Sequence, residues 1–76
     1  MLLQVFSLAD ENAPAFLGYV QMPDGLVPDE ILNETCDQIG IEAGLLIDQD
    51  PETGAYTLSR GNRFLYSLEE VRLDST

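Results

Sequence analysis

Fourteen carboxylates, three arginines, one cysteine and three tyrosines are the ionisable side chains of this 76-residue chain, which has no histidine and no lysine. That inventory narrows the chemistry. Without histidine, the usual activator of a serine or cysteine nucleophile is missing, and so is the commonest neutral metal ligand. The single thiol, Cys36, has no base near it in sequence, and its position on the apolar side of an expected helix points to a buried structural role. Paired carboxylates could act as acid and base, but so short a chain offers little volume for a pocket that would raise one of them. Gly40, Gly44 and Gly54 are isolated and form neither a phosphate loop nor a dinucleotide motif. Neither an enzymatic activity nor a cofactor is expected.

One segment resembles a metal loop in outline. Asp48-x-Asp50-x-Glu52 followed by Gly54 places alternating oxygens before a glycine, as at the start of a calcium site. The glycine comes one residue late, Pro51 stiffens the middle, and Ser59 stands where a closing carboxylate is needed. A solvated hairpin turn is the expected structure, and no metal is assigned.

The remaining carboxylates point to recognition. On a helix over Pro28–Gly40, Ile31, Leu32, Thr35, Cys36 and Ile39 share one face, while Glu30, Asn33, Glu34, Asp37 and Gln38 share the other. Glu30 and Glu34 are like charges one turn apart, which costs an isolated helix roughly 0.2–0.5 kcal/mol, and Asp37 prolongs the line without a basic residue to offset it. Asp29, Asp24 and Glu42 lie near its ends. A surface selected only for stability would interleave basic residues. Carboxylates about 6 Å apart along a helix approach the charge spacing of a nucleic-acid backbone, about 1.7 Å per charge on duplex DNA over both strands and twice that on one. The expectation is a non-enzymatic inhibitor or regulator that presents Glu30, Glu34, Asp37, Asp29, Asp24 and Glu42 to a basic protein surface. It would act as a nucleic-acid (DNA) mimic of the kind phage-encoded inhibitors exemplify. The alternative is a small structural or regulatory subunit that docks through a sheet edge or through aromatic residues, Tyr19, Tyr56 and Tyr66 with Phe16 and Phe64, its charge serving only solubility.

These residues must be positioned by a small set of elements. Pro28 suits the first helical position, Asp29 and Glu30 favour the positive end of the helix dipole, and Leu26 and Ile31 are spaced as a hydrophobic staple. Val27 falls at the cap with no side-chain acceptor. Gly40 suits a left-handed stop, with Ile41 able to pack back on Cys36. Before the helix, Leu2–Leu8 and Ala15–Met22 read as two strands of a hairpin, with Phe16, Val20 and Met22 on one face of the second and Gly18 marking a bulge or a close contact. After it, Leu45–Asp48 is a third strand, and Ala55–Arg60 and Arg63–Leu68 form a hairpin about Gly61-Asn62 of the type II′ kind. Strict alternation in the last strand sets Phe64, Tyr66 and Leu68 against Arg63, Leu65 and Ser67. Ser67-Leu68-Glu69-Glu70 also matches a capping box, so Leu68–Leu73 reads equally as a short terminal helix or as more strand. The expected fold is a single α+β domain, residues 1–76, with a small antiparallel sheet in β-β-α-β-β-β order and one amphipathic helix on a face.

The totals set the frame. A formal net charge of -11 repels nucleic acid and anionic membranes and attracts basic proteins. A core of this size is marginal unaided, so a homodimer or a hetero-complex is compatible with it. One cysteine suits a reducing cytoplasm, the N-terminal MLLQVFSLA lacks the basic start of a signal peptide, and no apolar run approaches the ~20 residues of a membrane span.

Overall fold

The computed structural model describes residues 1–9 and 12–71. Five strands and one helix follow in the order β1 (Leu2–Ser7), β2 (Ala15–Gln21), α1 (Pro28–Ile39), β3 (Leu46–Gln49), β4 (Tyr56–Arg60) and β5 (Arg63–Glu70). All four pairings are antiparallel and the sheet order is β2-β1-β5-β4-β3. Two hairpins, β1–β2 and β4–β5, are therefore joined side by side through β1 and β5.

A 12-residue helix is about 18 Å long, close to the width of five strands spaced at about 4.8 Å. α1 accordingly reaches from the β2 edge of the sheet to the β3 edge and touches both. Its Ile31 and Thr35 are buried against Leu3, Val5, Val20, Met22, Leu58 and Leu68 of the sheet side, with Leu45 closing the end of the core. The Thr35 hydroxyl has no acceptor to find among aliphatic neighbours and donates to Ile31 O one turn back, at 2.8 Å. The helix ends match the physical expectation. Val27 offers no side-chain acceptor, and Glu30 Oε1 instead accepts the Val27 N–H at 3.4 Å. Gly40 takes φ +76, and its N–H closes on Cys36 O at 2.8 Å.

Two β-bulges decide what each sheet face carries. Between β1 and β2, Val5 pairs with Gly18 but Phe6 pairs with Phe16, so Leu17 is an extra residue on β2. Gly18 beside it takes φ +153, a conformation that side-chain-bearing residues rarely adopt. Between β4 and β5, Leu58 pairs with Tyr66 but Ser59 pairs with Phe64, so Leu65 is the extra residue. Each insertion shifts the alternation by one position. Phe16 thus lies opposite to Val20 and Met22 rather than with them. Phe64 leaves the face of Tyr66 and Leu68, and Leu65 joins Tyr66 against the core. Strict alternation fails for both strands at these points.

Boundaries differ slightly from expectation elsewhere: β3 begins at Leu46 rather than Leu45, and Leu45 is buried just before it. The capping-box reading of Ser67 to Glu70 is overturned. Those residues continue β5, because β1 supplies their backbone partners from Phe6 to Leu3. The part of that reading beyond Val71 lies outside the described residues.

Candidate protein-binding surfaces

The acidic side of α1 forms a line, but a short one. The helical rise sets Glu30 and Glu34 about 6 Å apart along the axis and Asp37 about 4.5 Å further on. Glu30 is committed to the Val27 amide. Glu34 is half-buried and its Oε2 lies 3.4 Å from Gln38 Nε2. Asp24 sits 3.1 Å from the Met1 amine, and Glu42 pairs with Arg60 at 3.0 Å. The ends that were expected to lengthen the acidic surface are therefore partly neutralised, while Asp29 and Asp37 are exposed. No basic residue occupies the last helical turn.

The other side of the sheet carries no element among the described residues. Cross-strand registers place Tyr19, Gln4 and Glu69 in one row across it, and Phe16, Phe6, Ser67, Thr57 and Asp48 in the next. Phe64, Ser59 and Leu46 form a third. Phe16, Tyr19, Phe64 and Leu46 are 51%, 58%, 63% and 65% exposed, more than a strand side chain on a covered face would be. Phe6 packs edge-on to Phe16 with ring centroids 5.7 Å apart, and Phe16 edge-on to Tyr19 at 5.1 Å. Phe64 stands on β5, the central strand, in the row beyond Phe6 and Ser67, and Ser59 of β4 separates it from Leu46 on the β3 edge, so the exposed apolar side chains are spread across the face with Ser67, Thr57 and Ser59 among them. Of the tyrosines singled out by sequence, Tyr19 belongs to this face. Tyr56 and Tyr66 are half-buried on the helix side and pack on the core, so they do not share this face.

The sheet edges are guarded. β3 is only four residues long and carries Asp48. On β2, the Gln38 carboxamide reaches from α1 to the free side of Gln21, accepting its N–H at 3.0 Å and donating to its carbonyl at 2.7 Å. A side chain thereby occupies the place a sixth strand would begin, and the Leu17 bulge disrupts the ladder further along. Nothing in the sequence marks Gln38 for this task, since it reads as one polar residue among several on the solvent side of α1.

The turn from Asp50 to Ala55 is closed by its own atoms. Asp50 Oδ1 accepts the Glu52 N–H at 2.8 Å, Thr53 Oγ1 accepts the Ala55 N–H at 3.2 Å, and Gly54 N–H donates to Asp50 O at 2.8 Å. Among the described residues no three metal-ligating side chains converge. Cys36 is half-buried rather than buried, with its thiol 3.7 Å from the Glu42 carbonyl. Desolvation, and secondly the neighbouring Asp37 carboxylate, push its pKa above the ordinary thiol value, which suppresses the thiolate. No helix among the described residues is long and apolar enough to cross a membrane. No family model, no curated protein and no solved structure matches the chain.

Proposed function

We propose that this chain is a non-enzymatic protein-binding module, an inhibitor or regulator that docks on a basic protein surface through the open face of its sheet. The observation that carries the reading is the exposure of Phe16, Tyr19, Phe64 and Leu46 on one sheet face that no other described element covers. Large apolar side chains grouped on one face and left in water mark interaction sites more often than chance exposure does. The sheet edges are poor alternatives, because Gln38, the bulge and the shortness of β3 all discourage strand addition. The charge of -11 then selects the partner: it accelerates encounter with a basic protein and disfavours acidic ones. A lone cysteine of suppressed reactivity suits a cytoplasmic setting.

A second reading rests on the Glu30–Glu34–Asp37 line with no basic side chain in its last turn, which supports mimicry of nucleic acid on a target's basic groove. One experiment separates the two. The intact protein is used to capture partners from its host lysate at low and high salt, with and without duplex DNA, alongside Phe16→Ser/Phe64→Ser and Glu30→Lys/Glu34→Lys variants. Loss of a partner in the first variant with retention in the second supports docking by the open face. The reverse pattern, with displacement by DNA, supports mimicry, and a partner indifferent to both variants refutes both.

A further inference from the structure

The open face has one sign of charge. Among the described residues it carries Glu69 and Asp48, while Arg60 and Arg63 face the other way by alternation from Ser59 and Phe64, and Arg60 is paired with Glu42. Tyr19, Gln4 and Glu69 are direct cross-strand neighbours on β2, β1 and β5. Two strand spacings separate Tyr19 from Glu69, about 10 Å between their backbones, with the half-buried Gln4 directly between them. Beside this row stand the edge-to-face rings of Phe16 and Phe6. Exposed aromatic rings on β2 and a carboxylate on β5 thus flank Gln4 and Phe6 of β1, within the span of one extended side chain laid across the strands.

We infer that Tyr19, Phe16 and Glu69 together seat an arginine side chain of the partner protein, laid across Gln4 and Phe6, the guanidinium stacking on the exposed rings and bonding to the carboxylate. The inference deepens the reading of the open face as a docking surface and rests on it. Arginine suits the site better than lysine, because its planar fork stacks on aromatic rings and pairs with a carboxylate through two parallel hydrogen bonds, whereas an ammonium is a compact and strongly hydrated point charge. A second copy of this chain is a poor occupant. It would bring another charge of -11 and, in a two-fold arrangement, a second Glu69 and Asp48 against the first.

The test uses the full chain, isotope-labelled, titrated in physiological salt with an acetylated (Gly-Arg)₄ peptide and its lysine and citrulline counterparts. The arginine peptide should shift the ring resonances of Phe6, Phe16 and Tyr19 and the amide of Glu69, and should bind more tightly than the lysine peptide, with the neutral citrulline peptide weakest. Tyr19→Leu should lower its affinity about two- to fivefold, the scale of an exposed cation–π contact. Glu69→Gln should lower it more than Asp37→Asn, which removes the same charge from the helix. Equal binding of the arginine and lysine peptides, shifts confined to α1, or indifference to both Tyr19→Leu and Glu69→Gln would overturn the inference. If lysate capture still depends on Phe16 and Phe64 when the peptide result is negative, the docking reading stands and only the arginine assignment falls.

Discussion

Substituting Phe64 and Leu65 in turn tests the bulge on which the open face depends. Strict alternation along β5 would bury Phe64 with Tyr66 and Leu68 and expose Leu65; the observed register does the opposite. Phe64 is 63% exposed, so it keeps little more than a third of its surface from water. For a side chain of about 200 Å² that is roughly 70 Å², or about 1.8 kcal/mol at ~25 cal/mol per Å², and the figure is an upper bound because the unfolded chain also buries some surface. Phe64→Thr, which keeps a strand-forming residue, should therefore cost no more than about 1 kcal/mol. Leu65 packs on the core, and Leu65→Thr should cost about 1.5–3 kcal/mol. Leu58→Ala calibrates the scale: the side chain is fully buried and its truncation should cost about 2–5 kcal/mol. At about 4–8 °C per kcal/mol for a domain of this size, Phe64→Thr lowers Tm by less than about 8 °C, while Leu58→Ala lowers it by about 8 °C or more. Thermal melts followed by circular dichroism, with urea titrations to check the slope, decide the matter. A Phe64→Thr variant as damaged as Leu58→Ala, beside a neutral Leu65→Thr, would refute the register and with it the apolar open face.

Other outcomes follow from neighbouring features. Gln38→Ala removes two hydrogen bonds to the Gln21 backbone; it should cost about 1–2 kcal/mol and promote self-association along β2, visible in light scattering against concentration, and an unchanged scattering profile would mean that the clamp does not guard the edge. With so large an unbalanced charge, Tm should rise between low and moderate salt as self-repulsion is screened, and a flat or falling Tm would contradict this. The raised pKa of Cys36 makes its thiolate scarcer in the fold than in the unfolded chain. Alkylation by iodoacetamide at pH 8 should therefore be slower in native protein than in urea, and stability should decline as pH rises from the unfolded thiol pKa towards the folded one. Equal alkylation rates would show that the thiol is not shielded.

Some of this architecture can be read from residues and some cannot, for identifiable reasons. α1 was legible because its apolar period, Pro28 at the start and Gly40 at the end all agree; the first hairpin was legible from two strand-like runs separated by a short polar loop, and the second from Gly61-Asn62 between its strands. The open face was not. It depends on two inserted residues that reverse the alternation, and only Gly18 signals one of them; the run Phe64-Leu65-Tyr66 contains no residue that betrays the other. The placing of Tyr56 and Tyr66 on the helix side was not legible either, because composition says how many aromatics a small core must leave out, not which. The terminal capping box lost to β1, a tertiary partner that local sequence does not announce. The acidic line of α1 was legible in position but not in availability, since the partners of Asp24 and Glu42 come from remote parts of the chain.

The pairing of β1 with β5 has a consequence for how the protein comes into being. The first strand and the last described strand lie side by side in the interior of the sheet, and their ladder alone joins the two hairpins within it. More than sixty residues of chain must be emerged and gathered before Leu3 can meet Glu70. Until then the aliphatic side of the β1–β2 hairpin has only α1 to cover it, and a free strand flank where β5 belongs. During synthesis the nascent protein therefore passes through an interval in which its middle is an edge. Surplus negative charge then has a use unrelated to any partner: it keeps unfinished chains on crowded ribosomes away from one another until the closing strand arrives.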